Sequence, residues 1–142
     1  MTLATLITAT ILSQELHCGA LISYYEARGE DTYAAKVAPV IVARNRVVSD
    51  EFPNTMCEVM NQSRQFAFVT DDLHLSEPMD REAWETAQKA SQDVFDMPIH
   101  PYERPMNGAL YFHSGSPPNW DYTKIEKTVT IGRHRFYANR EN

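Results

Sequence analysis

Cysteine is scarce in this sequence. Cys18 and Cys57 are the only two, and neither sits in a CxxC pair or at metal-ligand spacing from a histidine. That excludes a scaffold built on disulfides and a structural zinc site of ordinary spacing. Two isolated cysteines in a chain made in the cytoplasm are expected to be small buried hydrophobes rather than a bridge. Positive charge is also short: 13 Lys and Arg stand against 19 Asp and Glu, for a net charge of −6. Nucleic-acid binding needs a basic face to attract phosphate, and none is present. No apolar run approaches the roughly 20 residues of a membrane span, so stable membrane insertion is not expected. The opening MTLATLITATILSQ has no basic residue ahead of it and holds four threonines. Its Leu3, Ile7 and Ile11, with Leu12, Leu16 and Ala20, keep helical spacing and predict the first helix of a domain rather than an export segment. Repeats, low-complexity tracts and linkers are lacking too. The 142 residues, 43% hydrophobic and 23% charged, therefore read as one domain able to bury a core.

The stretch Tyr25-Glu26-Ala27-Arg28-Gly29-Glu30 ends the first helix. Cys18, Ile22 and Glu26 recur at i, i+4 and i+8, placing Glu26 on a partly buried stripe. A carboxyl held against apolar surface resists ionisation, the condition for a general acid near neutral pH. The alternative is an ordinary helix-end Glu beside Arg28. Asp31 or Thr32 can cap a second helix with Tyr33, Val37, Val40, Ile41, Arg44 and Val48 on one face, and Pro39 inside it predicts a bend or a shortened first part. At its end, Asn45 or Arg46 can reach the backbone near Glu26 or lie in solvent. Thr55-Met56-Cys57-Glu58 is a capping-box pattern opening a short third helix.

From Gln62 to Ser76 no period holds, which predicts a functional rim or a disordered loop, with Asp71, Asp72 and His74 in it. Asp80 caps a fourth helix with Ala83, Ala87, Ala90 and Val94 on one stripe. Pro98, Pro101 and Pro105 then argue against further helix. Ala109 to His113 reads as a strand, and Thr128–Ile131 and His134–Tyr137 flank the turn Gly132-Arg133 as a hairpin. Helices followed by a small antiparallel sheet define an α+β domain.

In order along the chain stand YEARGE (Tyr25–Glu30), NRV (Asn45–Val47), FPNT (Phe52–Thr55), QF (Gln65, Phe66), GALYF (Gly108–Phe112) and IGxHxFY (Ile131–Tyr137). Together they resemble the catalytic domain of the spore-cortex-lytic (SleB-type) cell wall hydrolases. The resemblance implies a lysozyme-like, lytic-transglycosylase-like fold and cleavage of peptidoglycan glycan strands between N-acetylmuramic acid and N-acetylglucosamine. By it, Glu26 is the catalytic acid and no cofactor is implied. Glu30 is the natural second carboxylate if the enzyme hydrolyses instead, ahead of Asp71, Asp72 and Asp121. A local role for Glu30, bonding the first amides of the next helix, is the preferred reading.

Ser63 and Gln65 suit acetamido groups, and Tyr111, His113 and Trp120 suit the walls of a sugar groove, while Phe112 and Phe136 suit packing. Arg28 and Asn45 read as structural residues beside the site. A zinc pair of His113 and His134 lacks a third ligand at recognisable spacing. Pro39 and His113 depart from the family pattern, His113 standing where many members have Tyr or Asn. The readings kept beside the transglycosylase are a hydrolytic muramidase, an N-acetylmuramoyl-L-alanine amidase and a non-catalytic wall-binding protein on the same scaffold. A catalytic domain with no leader is expected to be made in the cytoplasm and to reach the wall with a holin-type partner, as a bacteriophage endolysin would.

Overall fold

A computed structural model of the chain describes residues 2–62, 80–97 and 100–141, the side chains of 4–8 excepted. Ser63, Gln65, Asp71 and Asp72 lie outside the described residues. The first helix, α1 (Leu3–Ala27), is followed by α2 (Tyr33–Val47), α3 (Met56–Asn61) and α4 (Arg81–Asp96). Side-chain caps start the last three. Thr32 accepts from the Ala35 amide at 3.2 Å, Thr55 from that of Glu58 at 3.1 Å and Asp80 from that of Ala83 at 3.1 Å. Each satisfies an amide that the first helical turn leaves without a backbone partner.

The helix that the others cover is α2, buried without interruption from Val37 to Ala43. Its apolar surface is therefore wider than one stripe, although Val48, expected on that face, is the C-cap and 77% exposed. Pro39 lies inside α2 without shortening its first part, since the helix already starts at Tyr33. A proline withholds one amide from the preceding turn. The carbonyl left without that donor is that of Ala35; on the next residue the Ser23 hydroxyl of α1 donates to the Lys36 carbonyl at 2.7 Å.

Close approach of α1 to α4 depends on Gly19, where an added Cβ would lie 2.3 Å from Ser91 Oγ. The Ser91 hydroxyl donates to the Leu16 carbonyl at 2.8 Å across the same crossing. Leu21, Ile22, Val40, Ile41, Met56, Val59, Val94, Met106 and Phe136 form one core between the helices and the sheet. Burial of such side chains contributes about 1.5–3 kcal/mol each.

Cys18 and Cys57 form a disulfide, which corrects the expectation of separate buried thiols. Glu15 brings the two together: its carboxylate accepts from the Met56 amide and, at 3.4 Å, from the Cys57 amide, docking α3 on α1. The Cα atoms stand 5.2 Å apart despite a separation of 39 residues, a proximity that sequence spacing does not reveal.

One further helix, α5 (Glu103–Met106), forms where the prolines argued against it. Pro105 lies within its first turn, where a proline costs little because those amides have no intrahelical partner. Asn107 at φ 48° and Gly108 at φ 76° then turn the chain into the sheet. Strands β1 (Tyr111–His113), β2 (Ile125–Ile131) and β3 (His134–Asn139) pair antiparallel in the order β1-β3-β2, with an irregularity between Lys127 and Val129.

Candidate active site

Glu26 lies in the last turn of α1, half-buried, on the helical stripe it shares with buried Cys18 and Ile22. Just beyond the helix, Glu30 is only 8% exposed. Its carboxylate accepts from the Arg133 amide, 3.3 Å from each oxygen, and faces the Arg133 guanidinium at 3.4 Å and His134 Nδ1 at 3.8 Å. The partner of Glu30 is therefore the β2–β3 turn rather than the first amides of α2, which Thr32 caps. Burial holds the His134 imidazole below its usual range, opposed by the nearby Glu30 carboxylate. A cavity of about 450 Å³ opens beside this contact, lined by Gly29, Glu30, Asp31, Thr32, Gly132 and Arg133.

Gly132 makes the contact possible. Its φ is +59°, and a Cβ there would lie 2.3 Å from Glu30 Oε2 and 3.0 Å from Ala35 Cβ. Gly132→Ala is expected to cost about 2–3 kcal/mol, the sum of a left-handed backbone penalty and overpacking. Gly115→Ala, at φ +71° with nothing within 4 Å, serves as the control and should lose only about 1 kcal/mol. Urea denaturation of both variants checks this; equal losses would show that the Glu30 contact does not confine Gly132.

Arg28 donates to the Tyr24 hydroxyl at 2.7 Å and lies over its ring at 5.0 Å. That hydroxyl also accepts from the Asp80 amide at 3.2 Å, joining the end of α1 to the start of α4. Asn45 Nδ2 donates to the Ala109 carbonyl at 2.9 Å and Arg46 Nε to that of Leu110 at 2.7 Å. Both thus hold the entry to β1. Burial lowers the Arg46 guanidinium to about 10, against a smaller opposing effect of Tyr111. Its guanidinium covers the Phe52 ring at 4.8 Å and the Tyr111 ring at 5.7 Å.

Tyr111, His113 and Trp120 group together, but not around Glu30. His113 is buried, its Nε2 3.0 Å from the Tyr137 hydroxyl and its ring stacked on Tyr137 at 5.4 Å, so it packs rather than lining an open groove. Tyr111 and Trp120, with ring centroids 5.8 Å apart, line a cavity of about 580 Å³ near Asn139. Arg133, in the turn just before β3, and Asn139, at the far end of β3, stand about 20 Å apart at the rise of a strand. Phe112 stacks on Phe136 at 5.5 Å, on the packing side of the sheet. Asp121 Oδ1 accepts from the Thr123 hydroxyl at 2.5 Å and its amide at 3.0 Å, bonds that hold the carboxyl below its usual range. Among the described residues, no group of three or more His, Cys, Asp or Glu is placed to hold a metal ion, and no helix is long and apolar enough to cross a membrane.

A sequence model of the cell wall hydrolases matches residues 30–137. The chain belongs to the cell wall hydrolase family. The match begins at Glu30, so Glu26 stands just ahead of it. Two relatives are spore cortex-lytic enzymes: that of Bacillus cereus is 34% identical over 116 residues, 80% of this chain and 40% of the relative. That of Oceanobacillus iheyensis is 33% identical over 114 residues, 80% of this chain and 37% of the relative. The chain thus spans about 40% of the length of the curated relatives it matches. The catalytic domain of Bacillus cereus SleB superposes with a TM-score of 0.70 at 31% identity, covering 87% of this chain and 89% of that domain. The catalytic domain of the germination-specific lytic transglycosylase SleB of Bacillus anthracis gives 0.68 at 32% identity, with 86% and 92% covered. The fold is accordingly that of the SleB catalytic domain, with five helices and a small three-stranded sheet near the C-terminus among the described residues.

Two residues to which sequence reasoning gave no role at the site shape this hydrolase domain. Arg133 holds Glu30, and Tyr24 joins α1 to α4. Only the Gly132-Arg133 turn carried a signal, and that signal spoke of a hairpin, not of its partner.

Proposed function

We propose that this domain cleaves peptidoglycan glycan strands between N-acetylmuramic acid and N-acetylglucosamine as a lytic transglycosylase. Its family membership and its likeness to SleB catalytic domains support the substrate class. The observation that carries the mechanism is the engagement of Glu30, which is buried and held by Arg133. Glu26 is half-buried in the last turn of α1. A hydrolytic glycosidase commonly needs a second carboxylate to hold water or form a covalent bond, and Glu30 is poorly placed for that work.

One carboxyl suffices for the intramolecular route. Glu26 protonates the glycosidic oxygen as the bond to C1 of the muramic acid breaks. The C6 hydroxyl of the same sugar then bonds to C1, and the Glu26 carboxylate takes its proton, ending the cycle in its acid form. Holding nucleophile and electrophile in one ring replaces the positioning of a water. Mass spectrometry of soluble fragments from purified peptidoglycan tests this. Fragments ending in 1,6-anhydromuramic acid, one water lighter than hydrolysis products, are the expected result. Reducing muramic-acid ends would instead establish a hydrolase, and freed L-alanine amino termini an amidase.

Action on the wall places the working enzyme outside the cytoplasm, and the Cys18–Cys57 bridge supports this, since such bonds persist in oxidising compartments. Passage across the membrane by a holin-type partner belongs to the same proposal.

A further inference from the structure

The cavity at the Asn139 end of the hairpin stands apart from the Glu30 contact by the length of β3, and the chemistry assigned to Glu26 does not use it. Its floor is aromatic. Trp120 is half-buried among four rings: Tyr111 at 5.8 Å, His113 at 5.5 Å, Tyr122 at 6.3 Å and Tyr137 at 5.6 Å between centroids. His113 and Tyr137 meet the indole edge to face and Tyr111 and Tyr122 meet it tilted, which holds it in one orientation without closing the cavity it lines.

The polar rim is balanced in charge. Glu51 and Asp121 face Lys124 and Arg140, so the rim favours neither a polyanion nor a polycation. Part of this rim is already committed. Arg140 Nε donates to the Tyr122 carbonyl at 3.2 Å, and its Nη1 lies 3.4 Å from Glu126. Glu51 Oε1 accepts from Asn139 at 3.1 Å, and Asp121 Oδ1 from Thr123. Asn119 and Lys124 also line the cavity, and the Lys124 ammonium lies close enough to Asp121 to help the Thr123 bonds hold its carboxyl below the usual range. An aromatic face ringed by neutral and mixed hydrogen-bonding groups matches a pyranose, which offers an apolar C–H face and a rim of hydroxyls. At about 580 Å³, the space falls within the ordinary range for a small-ligand site.

We propose that this cavity is a second carbohydrate site, holding an N-acetylated amino sugar of a glycan strand at a distance from the cleavage point. The choice of amino sugar rests on the function proposed above; the charge balance and aromatic floor do not. Such a site would keep a neighbouring sugar or strand in register while Glu26 acts.

The test exploits the two tryptophans of the chain. The indole N–H signals of Trp84 and Trp120 are followed by NMR in the Glu26→Gln protein during titration with the N-acetylglucosamine tetramer. Trp120→Phe identifies its own signal. Saturable movement of the Trp120 signal with a still Trp84 signal is expected. The exposed double substitution Asn119→Ala, Lys124→Ala, which leaves the aromatic floor intact, should weaken the apparent affinity at least fivefold. A Trp120 signal that does not move, that moves together with Trp84, or that saturates unchanged in the double variant would overturn the site. Digestion of purified peptidoglycan by the unaltered protein separates the two proposals: digestion without saccharide binding defeats only this one, and binding without digestion defeats only the enzymatic reading.

Discussion

Glu26→Gln is expected to lower the rate of peptidoglycan solubilisation by at least about a hundredfold and up to ten-thousandfold, the range that positioned proton transfer contributes. Glutamine preserves the shape of the side chain and its hydrogen-bonding reach but has no proton of the right acidity to give. It also forms no carboxylate to recover one from the C6 hydroxyl, so both halves of the cycle fail together. Because Glu26 is only half-buried, the change removes little packing, and the melting temperature should stay within about 4 °C. Glu30→Gln is the informative partner. Its effect should appear mainly in stability, since the carboxylate is engaged with Arg133 and His134. Turbidity loss of purified walls, read beside thermal melts of both variants, checks the pair. Retained turnover in Glu26→Gln, or a wild-type melt with lost turnover in Glu30→Gln, would reverse the roles given to the two residues.

Reduction of the Cys18–Cys57 bridge is expected to produce the largest loss of stability. Opening a loop of 39 residues returns about 3–4 kcal/mol of chain entropy to the unfolded state. For a chain of this size that corresponds to a melting temperature lower by roughly 10–15 °C. The loss should concentrate where the bridge ties α3 to α1, a junction also held by the Glu15 carboxylate on the Met56 and Cys57 amides and by Met56 and Val59 in the core. Melts with and without reductant, repeated on the Cys18→Ser, Cys57→Ser protein, give the comparison. A reductant-sensitive melt in the cysteine-free protein would mean that the effect is not the bridge's. Identical melts for the oxidised and reduced native protein would mean that helix packing alone fixes this corner.

Helix starts were legible because a cap is a local event. Thr32, Thr55 and Asp80 act on amides three residues away, so sequence order and spatial order coincide there. The hairpin was legible for the same reason, since Gly132-Arg133 turns the chain back on its immediate neighbours. The ordered motifs from Tyr25 to Tyr137 also carried the family, which the match over residues 30–137 then showed. Misreadings came where a local rule met a remote partner. Two distant cysteines meet, and Glu30 bonds a turn far along the chain; Pro105 is the exception, with a local reason, because it sits in a first helical turn.

The sequence by itself determined that this is an α+β cell wall hydrolase domain with Glu26 at the end of its first helix, because motif order, caps and hydrophobic period are properties of neighbouring residues. Tertiary structure alone decided that Glu30 serves the hairpin turn, that Tyr111 and Trp120 gather away from that contact, and that Cys18 bonds Cys57. Each of these joins groups far apart in the chain, and only the packing of helices against the sheet brings such groups within reach of one another.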